Sequence, residues 1–272
     1  MPTPNIKDRA AYDALPSLNY SAIKQLLLSP AHYQRYLAEP REETKALRQG
    51  IMSHAAALEP DKFIGTYVVA PKCDKRTKEG KAAAEAFAAS LQPGQIAADP
   101  EEWQLSVNLA QSFQTLVAAV GCKKFEATEF MISVEYNGVP MKCAIDAIGD
   151  GYIYDFKTTG DDASPRQFLR TALSYKYNLQ AVIYRTLYEA YTGERLKGFR
   201  VVPVEKDTLF GAVYEFGPEM QTRGLFDFEE ALKLYKECTA SGIWPGYSAD
   251  PTVATVIDLD ARPSLSTPIN FA

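Results

Sequence analysis

Ala144-Ile145-Asp146-Ala147-Ile148-Gly149-Asp150-Gly151-Tyr152-Ile153-Tyr154-Asp155-Phe156-Lys157 is the stretch that decides the fold. Asp150-Gly151 suits a two-residue type I′ turn, whose two central residues need the positive φ that aspartate tolerates and glycine accepts freely. Such a turn sets Gly149 opposite Tyr152, Ile148 opposite Ile153 and Asp146 opposite Asp155. Alternation along each strand puts Lys157 on the face of Asp155 and turns Ile145, Ala147, Tyr154 and Phe156 to the other. The expected hairpin has one apolar face and one acidic face with a single lysine.

The pattern continues upstream. Phe130-Met131-Ile132-Ser133-Val134-Glu135-Tyr136 leads into Asn137-Gly138, a second type I′ signal. Pairing across it sets Glu135 opposite Pro140, Ser133 opposite Lys142 and Glu129 opposite Asp146. Glu129, Asp146 and Asp155 then form one row across a three-stranded meander. Opposed like charges destabilise a sheet, so the row calls for a cation, and oxygen ligands suit a divalent one.

The chain has 272 residues, of which 46% are hydrophobic, enough for one full core. We expect a single domain over 1–272, with an N-terminal helical part to about 122, a catalytic core over about 123–248 and an extended tail over 249–272. The N-terminus lacks the layout of a secretory signal, and no apolar run approaches a membrane span, so a cytoplasmic protein without a membrane partner is expected. Cys73, Cys122, Cys143 and Cys238 are scattered without a close pair, which argues against a zinc ribbon or an iron–sulfur cluster. A net charge of −5 counts against a uniformly basic nucleic-acid-binding surface. Local fields differ from the average: residues 163–188 carry Arg166, Arg170, Lys176 and Arg185 with no acid, and Lys72, Lys75, Arg76, Lys78 and Lys81 form a second basic cluster.

Around the meander the order of elements is mixed α/β. Asn19 or Ser21 can cap a helix through Ile23, Leu26 and Leu27 towards Tyr33 and Leu37, with a break at Ser29-Pro30. A helix from about Glu42 to Leu58 carries Gly50 and His54, Tyr67-Val68-Val69 reads as a short strand, and Thr77 opens an alanine-rich helix to about Leu91. Asp99-Pro100-Glu101-Glu102 starts a helix ending near Gly121. Ser164-Pro165-Arg166-Gln167 opens a helical region to Tyr191, closed by Gly193. Strands follow at 198–204 and 210–216, and Pro218 starts a helix to about Ala240.

Two aspartates and a lysine, spaced as D and then D-x-K on adjacent strands, suit metal-dependent phosphodiester hydrolysis. Carboxylates hold the ion, which lowers the pKa of water and polarises a phosphoryl oxygen, while the lysine stabilises developing charge. Surface strands also carry Asp and Lys in alternation with no chemistry. The register of Glu129 and the acid-free basic helix downstream favour the site.

Ala144-Ile145-Asp146 followed by Tyr154-Asp155-Phe156-Lys157-Thr158-Thr159 resembles the motif of the PD-(D/E)XK nuclease superfamily, with Ile145 in place of the proline. Gln180-Ala181-Val182-Ile183-Tyr184 resembles its Q-x-x-x-Y element, and Gly50-Ile51-Met52-Ser53-His54 the histidine motif of its RecB-like branch. Ser21-Ala22-Ile23-Lys24, Arg76-Thr77-Lys78-Glu79-Gly80-Lys81 and Trp244-Pro245-Gly246-Tyr247 extend the likeness to RecE-type (exonuclease VIII) nuclease domains. The resemblance implies a restriction-endonuclease-like mixed central sheet flanked by helices and an N-terminal helical elaboration. It implies an ATP-independent, Mg²⁺-dependent 5′–3′ exonuclease on double-stranded DNA ends, with Mn²⁺ able to substitute.

By position, Asp146, Asp155, His54 and the Phe156 carbonyl would hold metal, Glu129 less securely. Lys157 would be the catalytic lysine, and Gln180 and Tyr184, one helical turn apart, would face it. Arg166, Arg170, Lys176, Arg185, Lys75, Arg76 and Lys78 are the expected DNA contacts. Relatives of this type imply a RecT-type annealing partner, phage or prophage origin and a ring-shaped homo-oligomer. The rivals are a RecB-like nuclease acting on single strands or endonucleolytically, and a non-catalytic DNA-binding module. A phosphohydrolase of small nucleotides is disfavoured by the lack of a phosphate-cradling glycine loop.

Overall fold

The computed structural model describes residues 5–39, 44–74 and 76–247. Its centre is a five-stranded sheet of β3 (Ala127–Tyr136), β4 (Val139–Gly149), β5 (Tyr152–Thr159), β6 (Gly198–Glu205) and β7 (Tyr214–Glu215), in the order β3-β4-β5-β6-β7. The first three strands are an antiparallel meander, and β6 runs parallel to β5. Both expected turns form: Asn137, Gly138, Asp150 and Gly151 all have positive φ. Their pairings follow, with Glu135 opposite Pro140, Ser133 opposite Lys142 and Ile148 opposite Ile153.

Ten helices are present among the described residues: α1 (Arg9–Ala14), α2 (Tyr20–Leu28), α3 (Pro30–Ala38), α4 (Lys45–Leu58), α5 (Pro60–Thr66), α6 (Lys78–Ser90), α7 (Pro100–Ala119), α8 (Pro165–Tyr175), α9 (Tyr177–Thr192) and α10 (Pro218–Ser241). Asn19, Ser29, Thr77, Asp99 and Ser164 cap α2, α3, α6, α7 and α8 through side-chain oxygens. A second sheet, β1 (Tyr67–Val69) with β2 (Ile96–Ala98), is parallel, and β2 has no counterpart in the sequence reading. Residues 40–43, where the expected start of α4 falls, and the expected tail over 249–272 lie outside the described residues.

Three expectations are corrected. The meander does not have one apolar and one open acidic face. Ile145, Ile148, Ile153 and Val201 pack with α2, α9 and α10, whereas Ala147, Tyr154, Phe156, Val202 and Val204 pack with α4 and α7. The crossover helices α8 and α9 cover one side of the β5–β6 pair and α4 and α7 cover the other, so the Asp155 carboxylate of β5 is buried among apolar residues. The helical region after Ser164 is two helices, because Lys176 takes left-handed φ of +57° and turns the chain between α8 and α9. The last strand is cut to two residues, since the chain from Leu209, also at positive φ, crosses Val204 only at Gly211 before rejoining the sheet.

The N-terminal segment straddles the β3–β4 hairpin. Ile6 bridges Met131 and Leu18 bridges Met141, while the buried Lys142 ammonium donates to the carbonyls of Tyr12, Asp13 and Leu15 at 2.8–3.0 Å. Those carbonyls lie at the C-terminal end of α1, where a cation also complements the helix dipole. The other face of the molecule is set by α9 and α10, which approach so closely at Gly224 that an added Cβ would lie 2.6 Å from the Asn178 carbonyl oxygen.

Candidate active site

The β4–β5 ladder pairs Gly149 with Tyr152 and ends at Ala147 with Tyr154. Beyond it the strands part, so Asp146 and Asp155 are not a laddered pair. Asp146 fills the fork instead: its Oδ2 accepts the Phe156 N–H at 2.8 Å, replacing the backbone bond the ladder gives up. Glu129 is likewise absent from the β3–β4 pairings on either side of it and has φ of +46°. Left-handed backbone at a glutamate is strained, and such strain clusters where function requires a particular side-chain direction.

α4 brings the histidine. Thr44 caps it, and Gln49, Ser53 and Ser106 form a buried polar seam with α7 in which Gln49 Nε2 donates to Ser106 Oγ at 2.8 Å. Ala57 and Leu58 join the core under β5. The His54 ring stacks on Phe156 at 5.1 Å and its Nδ1 lies 3.5 Å from Asp146 Oδ2. One ligand atom each from His54, Glu129 and Asp146 falls within 4.8 Å of the others. This set includes Glu129, the least secure expectation, and leaves out Asp155.

Asp155 serves the other half of the site. It is 1% exposed. Its Oδ1 accepts from Gln180 Nε2 at 2.7 Å, and its Oδ2 meets Lys157 Nζ at 2.6 Å. Gln180 is buried and its Oε1 has no partner among the described residues. Tyr184, one turn along α9, lines a cleft of about 410 Å³ with Arg9, Tyr20, Ser21 and Ala144. Neither strand alternation nor helix period revealed Arg9, whose charge acts on Glu129, or Glu59, a further acid whose charge is felt there.

Burial pushes all three carboxyls up: Glu129 to about 7, helped by Asp146, and Asp146 and Asp155 each to about 6, with Lys157 acting against the rise. Burial and the Lys157 charge together lower His54, so its imidazole is held neutral and able to ligate. Burial would also lower Lys157, but Asp155, Tyr177 and Asp146 outweigh it and the net direction is upward. A buried cluster of acids with a neutral imidazole and an orphaned amide oxygen suits a divalent cation, which would satisfy charge and lone pairs together.

The expected DNA contacts are scattered. Arg166 and Arg170 are exposed on α8, and Lys78 is exposed at the start of α6. Arg76 is bidentate to Asp74, and Arg185 turns to Gln221 on α10. Lys176 is a correction: its ammonium sits 2.6 Å from Asp227 Oδ2, an acid supplied by α10, so the acid-free stretch of sequence is not acid-free in space. Lys75 lies outside the described residues.

A family model described as a PDDEXK-like domain of unknown function (DUF3799) matches residues 19–253. The chain belongs to that family. The match takes in the forked hairpin, α4 and α9, and so every member of the geometric cluster around Asp146 and Asp155. A crystal structure of a protein from Eubacterium rectale, provisionally designated an exonuclease, superposes with a TM-score of 0.60 at 13% identity, covering 94% of this chain and 96% of that one. At that identity the likeness shows the fold, a restriction-endonuclease-like sheet flanked by helices. A second structure, that of SSO0001, has a TM-score of 0.28 at 14% identity over 79% of this chain and 85% of that one, and carries no argument. No curated protein matches the sequence. Among the described residues no helix is long and apolar enough to cross a membrane.

Proposed function

We propose that this PDDEXK-family protein is a divalent-metal-dependent nuclease, and that its substrate is the end of duplex DNA, degraded 5′ to 3′ to leave 3′ single-stranded tails. The observation that carries the reading is the juxtaposition of two half-sites at one fork: the His54, Glu129 and Asp146 donors, and the Asp155–Lys157 pair held by Gln180. His54, Glu129 and Asp146 would hold the ion, with Asp155 and the Phe156 carbonyl beside them. When bound, a divalent cation supplies Lewis-acid polarisation of the phosphoryl oxygen and a lowered pKa for attacking water, and Mg²⁺ or Mn²⁺ suits these ligands.

The chain's own groups do the rest. Gln180 fixes Asp155 by donating from Nε2 to its Oδ1, and the Gln180 Oε1 is buried without a partner among the described residues. Lys157 stays protonated beside two carboxylates and places a fixed positive charge where the phosphorus gains negative charge. His54 donates no proton in this scheme: its neutral ring, stacked on Phe156, is a ligand. Tyr184 and Tyr20 wall the cleft.

The test is digestion of duplexes labelled at the 5′ or 3′ end, with closed circles alongside, in Mg²⁺ and in EDTA. Loss of the 5′ label first, with circles intact, is expected. Cleaved circles would replace the exonuclease with an endonuclease of the RecB-like kind. Asp155→Ala and Lys157→Ala should each lower hydrolysis at least ~10³-fold while DNA is still bound; unchanged hydrolysis in both would remove these residues from the chemistry, and DNA binding without hydrolysis by wild type would leave only a DNA-binding module. A RecT-type annealing protein and a ring-shaped homo-oligomer belong to the same proposal, the latter checked by native mass.

A further inference from the structure

Beside Lys157 lies a second lysine that the chemistry above does not use. Lys24 is one turn beyond Tyr20 on α2, and its ammonium sits 4.8 Å from the Tyr20 ring centroid and 5.7 Å from that of Tyr175. Tyr175 ends α8, stacks on Tyr177 at 5.6 Å with the planes 12° apart, and Tyr177 in turn lies 4.9 Å from Lys157 Nζ. The two ammonium groups thus flank a pair of stacked rings. The arrangement is built: the Tyr20 hydroxyl donates to the Tyr175 carbonyl, which ties α2 to the left-handed turn at Lys176.

Among the described residues no carboxylate lies within 4.0 Å of Lys24, and the Asp155 carboxylate, whose charge is felt at Tyr20, is taken by Lys157. Burial, and then the like charge of Lys157, lower the Lys24 pKa. Cation–π contacts of this kind are worth about 1 kcal/mol and do not replace a counter-ion for a half-buried charge. Tyr175 keeps 53% of its surface exposed. An anion beside Lys24 and a planar group on Tyr175 would complete the site.

We infer that Lys24 and Tyr175 form a subsite for the nucleotide next to the scissile bond, Lys24 binding its phosphodiester and Tyr175 stacking on its base. This deepens the nuclease reading and rests on it. A strand laid across the fork presents its phosphates in succession, so one at Lys157 brings a neighbour towards Lys24. Stacking on an exposed tyrosine holds a base without reading its sequence.

The experiment is a chemical double-mutant cycle on an oligodeoxynucleotide in which one phosphate at a time is replaced by a neutral methylphosphonate. Wild type should lose about 10-fold in kcat/KM when the phosphate adjoining the scissile one is neutral, and Lys24→Gln about 10-fold on the unmodified strand. The same neutral linkage should cost Lys24→Gln nothing further. Additive losses at every position would overturn the subsite, as would an unchanged Lys24→Gln. Should Lys24→Gln not fold, Tyr175→Ala against Tyr175→Phe runs the same cycle with an abasic nucleotide, and only the alanine variant should become insensitive to it. Binding measured in Ca²⁺ repeats the cycle without hydrolysis. Coupling in binding with no cleavage by wild type would sink the nuclease reading alone, whereas cleavage with additive losses would sink the subsite alone.

Discussion

Asp155→Asn separates what a buried carboxylate does to the fold from what it does for the site. Burial raises the Asp155 carboxyl from 3.8 to about 6 in spite of the Lys157 ammonium at 2.6 Å. Because the folded-state pKa lies above the unfolded one, proton uptake stabilises the fold below about pH 4, and that contribution fades as the pH rises through about 6. A displacement of about two pH units corresponds to roughly 3 kcal/mol, lost by wild type but not by a neutral asparagine. Asparagine keeps an oxygen for Gln180 but deprives Lys157 of its partner. With the lysine side chain 21% exposed, water offsets part of that loss and leaves about 1–2 kcal/mol against the variant. In EDTA at pH 8 the variant should therefore be more stable than wild type by about 1–2 kcal/mol, or about 2–4 °C in Tm. At pH 4.5 it should be equal or less stable, and at both it should be inactive. Urea unfolding at pH 4.5, 6 and 8 reads the difference directly. A stability gap independent of pH, or one that moves against the variant as pH rises, would refute the account of Asp155 as a carboxylate kept at the expense of the fold.

Divalent cations should raise the Tm by more at pH 8 than at pH 5.5, because burial keeps Glu129 protonated up to about 7 and Asp146 up to about 6, and protons compete for the same oxygens; equal shifts in a thermal titration with Mn²⁺ would contradict the donor set. Lys176→Gln should lower stability by about 1–3 kcal/mol through the lost Asp227 pair and leave the salt dependence of DNA binding unchanged, whereas Arg170→Gln should leave stability alone and reduce the slope by about one. Gly224→Ala should destabilise by about 1–3 kcal/mol, since its methyl would meet the Asn178 carbonyl, and should lower hydrolysis as α9 moves Gln180; unfolding and kinetics on the same sample check both.

The turn chemistry at Asn137-Gly138 and Asp150-Gly151 made the meander and its register legible, because a two-residue turn leaves no freedom in pairing. The helix caps were legible for the same local reason. What the register could not tell was that the ladder stops at Ala147: strand separation is a tertiary event, and it converts an opposed pair of aspartates into two half-sites with different partners. Lys176 was misread because charge counted along a helix ignores the acid that another helix supplies. His54 carried no signal in periodicity and came from resemblance alone, while Arg9, Glu59 and Lys24 reach the fork from elements whose patterns point only to packing. β2 was missed because Ile96-Ala97-Ala98 lacks the aromatic and β-branched run that marks Tyr67-Val68-Val69.

The N-terminal segment also fixes an order of events. Ile6 must wait for Met131, 125 residues further on, and the Tyr12 carbonyl at the end of α1 must wait for Lys142, 130 residues further on. At ribosomal speeds of about 5–20 residues per second, that is roughly 6–25 seconds during which Ile6 and α1 have nowhere to dock. The cleft wall bearing Arg9 and Tyr20 is thus closed only after the hairpin has emerged, so the nascent chain carries an unassembled site until most of its sheet exists.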